Sequence, residues 1–108
     1  MSETQIMRDI LVALSALPDA LFWRQNVGVA RTEAGTVVRF GVPGMADIGG
    51  IYQGRSVQVE VKARRGKQHI QQRRWQTAVG RAGGIYIVAR SVDEALSSLE
   101  TLDPGGQV

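Results

Sequence analysis

The stretch GVPGMADIGGIYQGRSVQVEVKARRGK, Gly41 to Lys67, decides how this 108-residue chain is read. The GVPG segment is a tight loop, MADIGGIY a short strand, QG a hairpin turn, and RSVQVEVKA the clearest strand in the sequence. Along that strand Val57, Val59 and Val61 face one way, and Ser56, Gln58, Glu60 and Lys62 the other. Glu60 and Lys62 therefore project from one face, about 7 Å apart along the strand. Because QG closes a hairpin, Asp47 at the head of the first strand can lie near Glu60 across the pair.

Outward from this hairpin the pattern is regular. SETQIMRDILVALSAL reads as a helix, with Ile6, Ile10, Leu14 and Leu17 at helical spacing and Met7 and Leu11 beside them. Ser2 with Gln5 is a capping-box pattern, and Pro18-Asp19 closes the helix. LFWRQNVGVA reads as one strand, with Leu21, Trp23, Gln25 and Val27 on one side and Trp23 expected in the core; EAG reads as a turn and TVVRF as the next strand. After the RRGK loop, QHIQQRRWQTAVGRA is a helix with Trp75, Ala78, Val79 and Ala82 as its core stripe, stopped by Gly83-Gly84. IYIVA has buried-strand length. SVDEALSSLETL opens on a second capping box, Ser91 to Glu94, and forms the last helix. A helical crossover should return IYIVA parallel to a central strand. The expectation is an α/β fold: a mixed central sheet flanked by helices, one domain over residues 1–102, and a loose tail over 103–108.

Composition narrows the chemistry. With no Cys, neither a disulfide framework nor a thiolate metal site is possible, and one His rules out a multi-histidine zinc site within one chain. A bound metal would need oxygen ligands, which points to Mg²⁺ or Mn²⁺. No apolar run approaches a membrane span, and the N-terminus does not read as a signal peptide, so a cytoplasmic location is expected. From Lys62 to Arg90 there are eight basic residues and no acidic one, and eleven of the chain's thirteen basic residues are Arg. Such a run either keeps a solvated face soluble or binds a polyanion; the planar Arg fork suits phosphate oxygens. Arg64, Arg65, Lys67, Arg73 and Arg74 are the candidates for phosphate contacts.

Asp47 and Glu60, brought together, repel unless a cation lies between them. With no His or Cys at hand, that cation would be a hard divalent ion, to which the Val61 carbonyl could add a ligand. Lys62 could hold and polarise a water attacking phosphorus and steady the charge that develops on the phosphate. These parts fit phosphodiester hydrolysis. E-x-K is also what an ordinary solvent-facing strand carries; hydrophobic strands and a basic helix around it make it informative.

In SETQI, FWRQNVGVA, RFGVPGMADIGG, VQVEVKARRGK, the Gln of QQRRW and AGGIYIVARSVDEA, the chain resembles the virus-type replication-repair nuclease (VRR-NUC) family, a branch of the PD-(D/E)XK nuclease superfamily. The resemblance spans about residues 2–100. It implies the superfamily's αβββαβ restriction-endonuclease-like core. It also implies that Asp47 and Glu60 are metal ligands, Lys62 the catalytic lysine, and Glu3 a first-helix acid completing the site directly or through water. Gln72 matches the family glutamine in the helix after E-x-K, supporting the site or touching substrate. Three residues separate Pro43 from Asp47, a spacing shared with the branch it resembles. The implied activity is a Mg²⁺- or Mn²⁺-dependent DNA endonuclease of phage or mobile-element type, similar to Holliday-junction resolvases and working on branched DNA as a homodimer or larger homo-oligomer. The alternative is a non-catalytic nucleic-acid-binding module that keeps the nuclease fold.

Overall fold

A computed structural model describes residues 2–102; the tail expected over 103–108 lies outside them. The elements run α1 (Glu3–Ser15), β1 (Ala20–Arg24), β2 (Gly28–Arg31), β3 (Val37–Phe40), β4 (Ile48–Tyr52), β5 (Arg55–Val61), α2 (Ile70–Arg81), β6 (Ile85–Ala89) and α3 (Val92–Leu102). Four strands form a mixed sheet in the order β1-β4-β5-β6, and β2-β3 form a separate two-stranded sheet. β1–β4 and β4–β5 pair antiparallel, while β6 returns through α2 to lie parallel to β5. The described residues thus form a mixed α/β fold with three helices. Without the β2–β3 hairpin, α1, β1, β4, β5, α2 and β6 follow the order α-β-β-β-α-β. Among the described residues no helix is long and apolar enough to cross a membrane.

The apolar periodicities explain the packing. Val57, Val59 and Val61 of β5, Ile48 of β4, and Ile85, Ile87 and Ala89 of β6 form one buried sheet face. Ile6, Met7, Ile10 and Leu14 of α1 and Ala95 and Leu99 of α3 cover it. Fully burying such Val, Leu and Ile side chains contributes roughly 1.5–3 kcal/mol each. Gly50 belongs to this face because a Cβ there would stand 2.2 Å from the Phe22 ring. The β4–β5 turn is Gln53-Gly54, with φ of 51° and 82°, the left-handed pair a tight hairpin requires. Ser91 Oγ accepts from the Glu94 N–H and caps the last helix.

Four features depart from the sequence reading. LFWRQNVGVA is not one strand: β1 ends at Arg24, and β2 belongs to the hairpin with β3. The break falls at Gln25, whose N–H donates to the Asp47 carbonyl and whose side chain turns inward to Ala46 and Gln58. The α2 stripe is not a core stripe. Ala78 and Ala82 are exposed, Trp75 and Val79 only half-buried, and no α2 residue is fully buried. The reason lies beneath the helix, where the sheet presents Gln58 and Glu60, and Trp75 meets that polar face by donating its indole N–H to Gln58 Oε1. Trp23, read as a core residue, is 42% exposed on the sheet's edge strand. The first capping box is half formed: Ser2 Oγ accepts from the Gln5 N–H, but the Gln5 side chain donates forward to Asp9.

Candidate active site

β5 has alternating chemistry but is buried on both faces. Glu60 is wholly buried and Lys62 is 6% exposed, so the polar row is no solvated edge. The last β4–β5 pair is Ile48 with Val59; one step further the register sets Asp47 opposite Glu60. Asp47 is held there from two sides. Val61 N–H donates to its Oδ2 at 2.7 Å, and Gln25 N–H donates to its carbonyl at 2.8 Å.

Electrostatics tie the acids together. Burial raises the Asp47 pKa above the usual carboxylate range, and the Glu60 and Glu3 charges push it the same way. The Val61 N–H and the Lys62 ammonium pull it back. Glu3, at the start of α1, lines the same cleft as Asp47 and Val61, a space of about 210 Å³ also walled by Arg24 and Asn26.

The two oxygens of Glu60 differ. Oε1 accepts from the Tyr86 hydroxyl at 2.5 Å and from Gln68 Nε2 at 3.4 Å. Oε2 is buried with no hydrogen-bond partner among the described residues, and Lys62 Nζ stands 3.9 Å from it. Burial and the adjoining Glu60 carboxylate raise the Tyr86 pKa, which keeps the phenol a donor. Gln58, on the same row, accepts from both Gln25 Nε2 and Trp75 Nε1, tying the segment that follows β1 to β5 and α2.

The other expected residues are more scattered. Gln72 caps α2, its Oε1 accepting from the His69 N–H at 2.8 Å; the glutamine that reaches Glu60 is Gln68. Arg64, Arg65 and Lys67 are exposed on the loop after β5, which Arg90 pins by donating to the Ala63 and Gly66 carbonyls. Arg73 and Arg74 are exposed on α2, bordering a shallow hollow with Arg81. Arg64 instead lines a hollow with Ile6, Asp9 and Arg90, so the basic candidates do not form one compact patch.

Among the described residues no three acidic or histidine groups converge as a ready metal cage. The donors at hand are the Asp47 and Glu60 carboxylates and the Val61 carbonyl, with Glu3 in the wall of the cleft. An all-oxygen set with few protein ligands fits a Mg²⁺-type ion, which keeps several waters of its own. The open, buried Glu60 Oε2 is the atom such an ion would satisfy.

Tyr86, Gln68 and Gln25 were not legible as site residues. Tyr86 sits inside an apolar run, and only the parallel register, which sets it beside Gln58, turns it toward Glu60. The even alternation of IYIVA carried that signal once β6 was paired with β5. No family model matches the chain, and no curated protein matches it.

Proposed function

We propose that this chain is a metal-dependent endonuclease that hydrolyses phosphodiester bonds in DNA, built on a restriction-endonuclease-like core of the VRR-NUC type. The observation that carries the reading is the buried Glu60 Oε2, which lacks a hydrogen-bond donor among the described residues while the Lys62 ammonium stands 3.9 Å away. Leaving a buried acceptor unsatisfied costs about 1–3 kcal/mol. A bound metal ion would complete it.

In this reading Asp47 and Glu60 hold Mg²⁺ or Mn²⁺, with the Val61 carbonyl and Glu3 as further oxygen donors. Such an ion, when bound, neutralises phosphate charge and lowers the pKa of bound water. Lys62, anchored in the sheet by its N–H to the Ala89 carbonyl, orients the attacking water and stabilises charge on the phosphate oxygens. The Asp47 carboxylate, fixed by Val61, holds its place as substrate enters the cleft. Exposed arginines on α2 and on the loop after β5 bind the DNA backbone. Action on branched DNA, a homodimeric or larger assembly, a phage or mobile-element origin and a cytoplasmic setting extend the reading by resemblance.

A cleavage panel over duplex, flap, splayed-arm and four-way DNA, with Mg²⁺ or Mn²⁺ titrated, tests it. Metal-dependent cutting lost in Glu60→Gln is expected; no cutting of any substrate by the parent sinks it. The rival is a non-catalytic DNA-binding module. The absence of three converging acids among the described residues favours that rival, and binding without cleavage across the panel would establish it.

A further inference from the structure

Glu60 is clamped at one oxygen only. Tyr86 stands opposite Gln58 in the parallel β5–β6 pair, and its ring carries the hydroxyl up the row to Oε1. Gln68, on the loop before α2, donates to that same oxygen and to Gln76 of the helix. Among the described residues nothing donates to Oε2, which is buried 3.9 Å from the Lys62 ammonium. The carboxylate is therefore fixed in rotation, with one oxygen turned to protein donors and the other without a hydrogen bond.

We propose that Tyr86 is a positioning residue that makes Glu60 a one-oxygen metal ligand and thereby sets the preference of the site for a small octahedral ion over Ca²⁺. This rests on the nuclease reading. A carboxylate with both oxygens free can take Ca²⁺ in bidentate fashion, because that ion accommodates six to eight oxygens at longer distance. Mg²⁺ and Mn²⁺ sites take carboxylates into a six-coordinate oxygen shell, where a single oxygen suffices. With Oε1 engaged by Tyr86, the bidentate mode requires breaking a short hydrogen bond to a buried carboxylate. Outer-shell partners of this kind typically change metal affinity 10–100-fold.

The test is calorimetric titration of the full chain with MnCl₂ and, separately, CaCl₂, without DNA. In Tyr86→Phe, Mn²⁺ binding should weaken about tenfold while Ca²⁺ binding weakens little or improves, shifting the ratio of the two constants by about tenfold. Metal-free thermal unfolding is followed alongside. Gln68→Ala, which removes the other donor to Oε1 from a half-buried loop position, is run in parallel and should move the ratio in the same direction by a smaller factor. If Tyr86→Phe does not fold, Gln68→Ala decides. A parent that binds Mn²⁺ and variants with an unchanged ratio overturn the role of Tyr86 and leave the nuclease reading standing. A parent that binds neither ion at millimolar concentration overturns both.

Discussion

The Asp47 carboxylate closes the end of the β4–β5 ladder by accepting the Val61 N–H at 2.7 Å. A side chain stands in for a backbone carbonyl, and an acid is thereby held at the mouth of the cleft, partly out of water and within the field of Glu60 and Glu3.

Asp47 should therefore cost the metal-free protein stability at neutral pH. Burial raises its folded-state pKa above the ordinary 3.8, so its favourable contribution is complete only below that value. As pH rises through the higher folded-state pKa, that contribution is lost and the carboxylate is ionised against an opposing field. Asn at this position still accepts from Val61 but carries no charge. Asp47→Asn should raise the Tm at pH 7 in EDTA, with the gain vanishing below about pH 4, and adding Mn²⁺ should narrow the gap by stabilising the parent alone. A lower Tm for the variant at pH 7 would mean that the Asp47 charge is compensated within the chain.

Lys62 and Glu60 invite a double-mutant cycle. Both are buried, and among the described residues Oε2 has no donor near it other than the ammonium at 3.9 Å. Lys62→Met leaves a buried carboxylate uncompensated and should cost about 3 kcal/mol. Glu60→Gln keeps an oxygen for the Tyr86 hydroxyl, and adding it to Lys62→Met should restore most of that loss. All three variants should lose metal-dependent cleavage. Urea unfolding and the cleavage panel separate the two effects; a Lys62→Met variant as stable as the parent would show that the pair contributes nothing to the fold.

Much of this was legible before the structure, for a physical reason. Strands whose one face meets an apolar core advertise it by strict alternation, so the β5 valines, the α1 stripe and the buried run Ile85–Ala89 all found their places. Asp47 and Glu60 followed from hairpin register. What stayed hidden depends on the opposite, polar sheet face. There α2 packs through Trp75, which donates to Gln58, and Gln76, which accepts from Gln68, and not by apolar burial, and no periodicity marks which polar residue meets which. Gln25 and Trp23 share one cause: no pattern in LFWRQNVGVA marks the point where the backbone bonds to Asp47 and leaves the main sheet.

Arg73 and Arg74 should act on DNA as phosphate contacts. Both are exposed on α2 and face a hollow bordered by Ile70, Thr77 and Arg81. Replacing the two by Ala should weaken binding of unrelated DNA sequences alike and reduce the slope of log K against log salt by about 2, one for each lost contact. Fluorescence anisotropy between 50 and 200 mM salt checks this. Weaker binding with an unaltered slope would assign the loss to a distorted helix.

The β2–β3 hairpin should be dispensable to the fold. Gly28 is only half-buried, every other residue of the two strands is exposed, and none joins the core that α1 and α3 cover. Its own register sets Phe40 opposite Gly28 and Val38 opposite Ala30 on one face, with Arg39 beside Val29 and Arg31 beside Val37 on the other. An exposed two-stranded ribbon is marginal by itself. Cutting it back to a short Gly-Ser link between Val27 and Gly41 removes no buried side chain, so the Tm should move by no more than the few degrees typical of surface changes. If the shortened chain unfolds, the hairpin supports the core through contacts that its exposure hides. If it folds but no longer cuts or binds branched DNA, Arg31 and Arg39 become the next residues to replace.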